Sequence, residues 1–182
     1  MKIINQLDEA RQFLKQGKIL AYPTEAVYGL GCDPFNEEAV DKLLGLKHRI
    51  RSKGLIILIA DWSQLDPLIS AIPHDRLDFV RRTWPGPVTW VFPKSMVIPE
   101  WLCGHHHTIA IRMSAHRVAR ELCKDGPIIS TSANISGQPP AVDVASLYTA
   151  FPRGVDALLS GPLGGSEQLS AIYDVLSGQQ LR

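Results

Sequence analysis

A basic run at residues 47–53, KHRIRSK, is the first stretch whose residue types could do chemistry. It carries four fixed positive charges, and no acidic residue falls between Lys47 and Ala60. Cationic side chains beside the carboxyl ends of strands suit a polyphosphate or a carboxylate ligand. The alternative is a solvated charged loop. The run follows an apolar helix pattern and precedes an apolar strand pattern, and this position leaves both interpretations open.

Three other places carry polar side chains that could meet a ligand. Thr24 and Glu25 follow an apolar strand pattern, with Tyr28 close behind. STSAN, residues 130–134, presents hydroxyl and amide groups after a second apolar strand pattern. In TIAIRM, strand alternation places Arg112 opposite the three bulky apolar residues. Each place also has an ordinary explanation, as turn or cap residues or as an exposed edge strand, so residue type alone does not decide.

Hydrophobic spacing and cap residues predict the elements that position these side chains. The predicted helices cover residues 8–16, with Gly17 as the terminal glycine, 74–83 and 116–124. Asn36 is the predicted N-cap of a helix that runs to Leu46, and Asp143 that of a helix through Ala150. Ser63 and Asp66 are predicted to cap a short helix toward Ile69. The predicted strands cover residues 18–22, 55–60, 88–92, 108–113, 128–129, 157–159 and 171–175. Gly29 and Gly31 predict a tight turn or a close backbone approach after the first strand. The run at 55–60, LIILIA, is typical of a strand covered on both faces.

The mixture of strands and helices along the whole chain favours one α/β domain over residues 1–182, built around a twisted, mixed sheet. The 182 residues are 45% hydrophobic and 20% charged, as in an ordinary globular domain. The net charge is +1, so contact with nucleic acid would require a local basic patch. Three widely spaced cysteines form no CxxC pair, and no signal peptide or membrane segment is evident. We therefore expect a cytoplasmic protein.

Several signatures of catalysis are absent from the sequence. It contains no GxxxxGK[ST] phosphate loop, no GxGxxG, no HExxH and no GxSxG. The three histidines at 105–107 predict a polar loop, because successive residues on a strand point to opposite faces. We therefore predict no protein metal site, and any Mg²⁺ would arrive held by nucleotide phosphates.

Six sequence blocks occur in a fixed order. They are YPTEAVYGLGCDP (22–34), KHR (47–49), KGLIILIA (53–60), WPGPVTWVFP (84–93), AIRM (110–113) and STSANISGQPP (130–140). Together they resemble the YrdC-type family of threonylcarbamoyl-AMP synthases in its short, single-domain form. The resemblance implies a YrdC/RibB-like α/β fold: a twisted, mixed to antiparallel open sheet flanked by helices, with a large concave basic cleft.

The resemblance also implies an activity, the synthesis of L-threonylcarbamoyladenylate and pyrophosphate from L-threonine, bicarbonate or CO₂, and ATP. This would be the first step toward threonylcarbamoyladenosine at position 37 of tRNA. Downstream threonylcarbamoyl-transferase proteins would use the product, and a weak contact with tRNA is implied. The enzyme would be a nucleotidyltransferase.

Matching the family motifs residue by residue implies a set of site residues. The KxR and SxN motifs, which would grip ATP and the intermediate, match Lys47, Arg49, Ser132 and Asn134. Threonine would contact Thr24, Arg112, Ser130 and Ser170, with Arg112 pairing its carboxylate. Arg182 would lie on the ATP side. Two departures are Ile50, where the family often has proline, and LSAIYD at 169–174 in place of PSTIVD.

The chemistry of this reaction agrees with the residue inventory. The amine of threonine adds to bicarbonate or CO₂, and the carbamate oxygen attacks the α-phosphorus as pyrophosphate leaves. No enzyme nucleophile is needed, so positioning and fixed positive charge suffice. The alternative is a non-catalytic module that binds double-stranded RNA or tRNA, for which steep salt dependence and no ATP requirement are expected. A sugar-phosphate lyase or synthase is less favoured, because clustered acidic metal ligands are missing.

Overall fold

One mixed sheet of nine strands runs through the computed structural model, which describes residues 1–166 and 169–182. In chain order the strands are β1 (Lys2–Ile4), β2 (Leu20–Pro23), β3 (Tyr28–Gly31), β4 (Ile56–Ile59), β5 (Val88–Pro93), β6 (Thr108–Met113), β7 (Ile128–Ser132), β8 (Ala157–Leu159) and β9 (Ala171–Asp174). Their order across the sheet is β1-β8-β2-β3-β7-β4-β6-β5-β9. The central strands β2, β3, β7 and β4 pair antiparallel, and parallel pairs lie toward both edges. The predicted mixed α/β sheet is confirmed.

Helices cover the two faces of this sheet unequally. They are α1 (Leu7–Lys15), α2 (Glu37–Leu46), α3 (His74–Thr83), α4 (Glu100–Cys103), α5 (Arg117–Leu122) and α6 (Val144–Ala150). Side chains of α2, α3, α4 and α6 join one large hydrophobic cluster, whereas α1 and α5 contribute to a smaller one. Among the described residues, α1 and α5 are the helices that cover the second face, and part of this face stays open.

Strand alternation decides which side chains face each layer. On β4, Ile57 and Ile59 are buried in the large cluster, while Ile56 and Leu58 point to the opposite face. Leu58 is covered by the smaller cluster, but Ile56 is only half-buried. The strand predicted at 55–60 is therefore confirmed, and the expectation that both of its faces are covered is correct only for part of the second face.

Of the two alternatives for Gly29 and Gly31, the tight turn is wrong, because both residues lie in β3, and the close backbone approach is confirmed. The chain reverses earlier, between Thr24 and Val27, where the backbone N–H and the hydroxyl of Thr24 both donate to the Val27 carbonyl. A Cβ on Gly31 would lie 2.7 Å from the Ile129 carbonyl oxygen and 2.9 Å from the Tyr22 ring. Glycine serves close approach here, so that the buried Tyr22 ring can lie across the neighbouring strand.

Two helix caps and one helix end agree with the sequence prediction. The Asn36 side chain accepts from the Ala39 N–H at 3.0 Å, and Asp143 forms a capping box with Ser146. Gly17, at φ 70°, follows α1 as its terminal glycine. These residues act through local hydrogen bonds, which explains why the sequence alone locates them.

Other local predictions need correction. Residues 62–68 form two 3₁₀ turns, and Asp61 caps the first of them by accepting from the Ser63 N–H at 2.8 Å. The predicted Ser63 and Asp66 caps are therefore wrong. β1 and α4 were not predicted, because three or four residues are too few to show a period.

Cysteines and apolar helices complete the description of the fold. Cys32 and Cys103 are free and buried in the large cluster, and Cys123 is free and buried in the smaller one. Within the described residues, no helix is both long enough and apolar enough to span a membrane.

Candidate active site

A cavity opens on the uncovered part of the second sheet face. Its walls come from the β2–β3 turn, from β4, β6 and β7, and from segments next to β5 and β9. Seven of the nine residues predicted for the site line it: Thr24, Arg49, Arg112, Ser130, Ser132, Ser170 and Arg182. The other two, Lys47 and Asn134, lie directly behind Ser132 and are hydrogen-bonded to each other. The structure thus brings all nine residues together.

Lys47 follows α2 and is only 1% exposed. Its ammonium donates to the Ser132 carbonyl, to the Asn134 carbonyl at 2.7 Å and to Asn134 Oδ1 at 3.3 Å. An ammonium group has three N–H donors, so these three oxygens match its full capacity. Burial, and next the positive charge of Arg49, lower the pKa of Lys47 to about 8. Lys47 fastens the end of β7 to the end of α2, and it does not itself line the cavity.

The loop that Lys47 holds is further fixed by its own side chains. Ser132 Oγ donates to Asn134 Oδ1 at 2.6 Å, and Asn134 Nδ2 donates to the Ile135 and Gln138 carbonyls. Ser130, two residues before Ser132 on the same face of β7, accepts from the Tyr22 hydroxyl at 2.6 Å. Burial raises the pKa of Tyr22, so this hydroxyl stays a donor. The two serines therefore lie in the wall at fixed positions.

Arg49 and Arg182 place two guanidinium groups in the same wall. Arg49 Nη2 donates to the Gly54 carbonyl at 3.0 Å, and Arg182 Nη2 donates to the Ser170 carbonyl at 2.9 Å. Arg49 Nε is buried and has no hydrogen-bond partner among residues 1–166 and 169–182. Burial, and next the charge of Arg182, lower the pKa of Arg49. Two guanidinium groups in one cavity wall are suited to bind an anion such as a phosphate.

Arg51 does not belong to this cationic group. It is exposed and pairs with Glu37 and Asp41, with 3.1 Å from Arg51 Nη1 to Glu37 Oε1. These acids lie one turn apart on α2 and reach the loop that follows it. The expectation that the basic run lacks a local counter-charge is therefore wrong for Arg51. Lys53 lines an adjoining hollow that shares the Arg49 and Arg182 walls.

Arg112 lies on β6 and faces the cavity, as alternation predicts. Its Nη2 lies 2.6 Å from Glu25 Oε1, and its Nε donates to the Gly86 carbonyl at 2.9 Å. Glu25 Oε1 also accepts from Ser114 Oγ at 2.6 Å and from the His116 N–H at 3.3 Å. Burial would raise the pKa of the Glu25 carboxyl, but Arg112, Ser114 and the His116 N–H outweigh burial and lower it.

Sequence reasoning noted Glu25 as a polar residue beside a possible crevice but gave it no role. The partner contact could not be foreseen, because Glu25 and Arg112 are far apart in the chain. Ser114 was missed altogether, and its position directly after β6 is the signal that could have found it. Ser170 is buried, and its hydroxyl lies 3.0 Å from Thr89 Oγ1.

The cavity offers few ligands for a metal ion. In the described part of the chain, no three His, Cys, Asp or Glu side chains are grouped so that they could hold one. The three histidines at 105–107 are exposed, and one of them, His106, lines the adjoining hollow. The polar side chains that line the cavity are mainly guanidinium and hydroxyl groups, with one carboxylate, Glu25.

The fold and the cavity define an α/β protein with a cleft, lined by three arginines, on the open face of a mixed sheet. Residues 12–182 match the Sua5/YciO/YrdC family model, described as telomere recombination. The chain belongs to the Sua5/YciO/YrdC family.

Two relatives match nearly the whole chain. A threonylcarbamoyl-AMP synthase of Coxiella burnetii (strain RSA 493 / Nine Mile phase I) is 48% identical over 178 residues, 97% of this chain and 96% of the relative. A threonylcarbamoyl-AMP synthase of Methylococcus capsulatus is 49% identical over 175 residues, 95% of this chain and 94% of the relative.

Solved structures agree on the architecture. P. abyssi Sua5 complexed with L-threonine superposes with a TM-score of 0.90 at 35% identity, over 96% of this chain and 54% of that one. This chain thus spans about half the length of P. abyssi Sua5. E. coli YciO gives a TM-score of 0.81 at 19% identity over 95% of this chain and 87% of that one, which bears on the fold alone. These likenesses confirm the predicted fold.

Proposed function

We propose that this chain is a threonylcarbamoyl-AMP synthase, a nucleotidyltransferase that makes L-threonylcarbamoyladenylate and pyrophosphate from L-threonine, bicarbonate or CO₂, and ATP. The two relatives that match nearly the whole chain carry this name. P. abyssi Sua5, which has the same fold, was crystallised with L-threonine. The observation that carries the proposal is the single cavity lined by three arginines and by the serines of β7. The RNA-binding alternative has no comparable support.

In this proposal, Arg49 and Arg182 bind the phosphates of ATP. Their guanidinium groups are neighbours, and Arg49 Nε has no protein partner among the described residues. Ser132 then forms the adjoining wall of the nucleotide site, and Asn134 holds it from behind by accepting from its hydroxyl. Lys47 acts by holding these two residues in place, because its ammonium already donates to three protein oxygens.

L-threonine binds in the part of the cavity next to Arg112. The guanidinium there suits the carboxylate of the amino acid, and charge-assisted hydrogen bonds of this kind are the strong ones. Thr24 lies in the same wall, and its hydroxyl donates to the Val27 carbonyl, so its oxygen can still accept from a ligand. Ser130 and Ser170 line the cavity too.

The reaction requires positioning and charge stabilisation. The threonine ammonium loses a proton to solvent, and the neutral amine then forms a C–N bond to the carbon of CO₂ and releases a second proton to solvent to give a carbamate. A carbamate oxygen then bonds to the α-phosphorus while the bond to the pyrophosphate oxygen breaks. Negative charge grows on the phosphoryl oxygens and on the leaving group, and fixed guanidinium groups stabilise it without reorganising.

Mg²⁺ is expected to enter with the ATP phosphates. The cavity does not fit a protein-held ion, since its described lining residues include one carboxylate, Glu25, beside three arginines. Mg²⁺ usually keeps several waters and needs only a few protein oxygens. The proposal includes a weak contact with tRNA and downstream threonylcarbamoyl-transferase proteins, because the product must be passed on to tRNA. It also includes a cytoplasmic location.

Pyrophosphate release tests this proposal directly. Purified protein is incubated with ATP, bicarbonate and each amino acid in turn, and we expect release with L-threonine. Arg49→Ala should lower the rate about 100-fold, since loss of one charged donor costs about 3 kcal/mol. Arg51→Ala is the matched control and should keep full activity, because Arg51 pairs with Glu37 and Asp41 outside the cavity.

Each outcome has a separate meaning. Absence of threonine-dependent pyrophosphate from the wild-type protein would reject the synthase assignment. Normal turnover by Arg49→Ala would reject the role of that residue while leaving the activity itself established.

A further inference from the structure

Glu25 is an acid in a cavity whose other charged side chains are cations. The described lining residues include three arginines, Arg49, Arg112 and Arg182, and Glu25 is the acidic residue among them. A carboxylate weakens the attraction of such a cavity for anions. Its presence therefore calls for a function other than anion binding.

The structure fixes this carboxylate firmly. Arg112, Ser114 and the His116 N–H all contact the same oxygen, Oε1, at 2.6, 2.6 and 3.3 Å. The Glu25 and Arg112 side chains are 17% and 13% exposed, so water screens the pair little. Glu25 is also one of the residues that line the cavity, so the fixed carboxylate lies in its wall.

Arg112 keeps donors for a ligand while it is paired. A guanidinium has five N–H donors in a rigid fork. The contacts to Gly86 and Glu25 use Nε and Nη2. Arg112 can thus hold Glu25 and still accept a carboxylate from the cavity side.

We propose that Glu25 is the specificity residue of the amino-acid subsite, binding the α-ammonium group of the substrate while it aligns Arg112 for the α-carboxylate. This inference rests on the proposed function, since it requires an amino-acid substrate. An α-amino acid carries a cation and an anion on one carbon, and a resident Arg–Glu pair offers both complementary charges side by side. Three arginines alone would attract any carboxylate, whereas Glu25 favours a zwitterion and disfavours an anion without an amine.

Glu25 binds the ammonium form of the substrate, and the ammonium proton leaves to solvent water before the amine reacts. Its lowered pKa makes it a weak base, which is suited to holding a cation. The test must therefore measure binding and selectivity, which a proton-transfer role would not alter in the same way.

Calorimetry with two ligands tests the proposal. One is L-threonine, and the other is 2,3-dihydroxybutanoate, in which a hydroxyl replaces the α-amine. The wild-type protein should bind threonine at least about tenfold more tightly than the analogue, since the analogue has no ammonium to pair with Glu25. Glu25→Gln should lose this preference: threonine binding weakens about tenfold or more, while analogue binding is kept, because the Gln amide oxygen can still accept from Arg112. ATP affinity should not change.

The matched control is Glu37→Gln on α2, an exposed acid that pairs with Arg51 away from the cavity, and it should leave both affinities unaltered. Equal weakening of both ligands in Glu25→Gln, or unchanged threonine affinity, would overturn the inference. If the Gln variant does not fold, Ser114→Ala removes one contact to the carboxylate and must still weaken threonine more than the analogue. A wild-type protein that binds no threonine would reject the proposed function itself, and the inference with it.

Discussion

The ammonium of Lys47 is buried with uncharged oxygens as its described hydrogen-bond partners. Burying a charge without an opposite charge is costly, and hydrogen bonds offset only part of the cost. Lys47 joins two segments that are distant in sequence. The contact holds Ser132 and Asn134 in position, and this offsets the cost of burying the charge.

The lowered pKa of Lys47 predicts a pH dependence of stability. The folded protein releases this proton near pH 8, while the unfolded chain keeps it until its ordinary pKa of 10.5. Between these values the unfolded state binds more protons, so the free energy of unfolding rises with pH. In urea denaturation, the free energy of unfolding of the wild-type protein should rise by on the order of 3 kcal/mol from the lower to the upper pH, relative to that of Lys47→Met.

Lys42→Met is the control for that experiment. It removes an exposed lysine paired with Asp156 and should preserve the wild-type pH profile. Parallel pH profiles for wild type and Lys47→Met would show that Lys47 does not titrate in the way its burial indicates.

Residue types alone suggested part of the site, and tertiary contacts supplied the rest. The KxR and SxN residues could be named because they match a family motif, and alternation alone placed Arg112 on the correct face. The separation of Arg49 from Arg51 could not be predicted, since it depends on which acids of α2 reach the loop. The Glu25–Arg112 pair depends on strand packing, which no local pattern encodes.

At the scale of elements, the β2–β3 hairpin shows how one residue type supports two interpretations. Glycines after a strand indicate either a turn or a close contact. Here Gly29 and Gly31 belong to a strand, and the Tyr22 ring fills the space that their side chains would take. The caps at Asn36 and Asp143 allowed no such ambiguity, because a cap is defined within four residues.

A pair of glycine substitutions tests this interpretation. In Gly31→Ala the new Cβ would meet the Ile129 carbonyl at 2.7 Å, and we expect a loss of about 1–3 kcal/mol in the free energy of unfolding. Gly45→Ala is the matched change on α2, where the Cβ has no neighbour within 4 Å, and it should gain up to about 1 kcal/mol. Thermal unfolding of the two variants compares them. Equal stability would mean that the β3 backbone yields easily.

At the scale of the whole molecule, the order of the strands was beyond local reasoning. β7 lies near the middle of the sheet although it comes late in the chain, and it pairs with β3 and β4. Such pairings depend on which sheet face each strand must bury, and a strand of five residues carries too little pattern to specify its neighbours. The family resemblance supplied the architecture that periodicity left open.

All three cysteines are buried, so the reaction of their thiols with an alkylating reagent reports unfolding of the chain. Burial, and next the charge of Asp33, raise the pKa of the Cys32 thiol to about 12, and burial also raises that of Cys123, so neither is a nucleophile in the native state. They lie in different hydrophobic clusters, yet both clusters share one sheet. Alkylation followed by peptide mass spectrometry should therefore modify Cys32 and Cys123 at one common rate. Earlier modification of Cys123 would reveal that the layer of α1 and α5 detaches by itself.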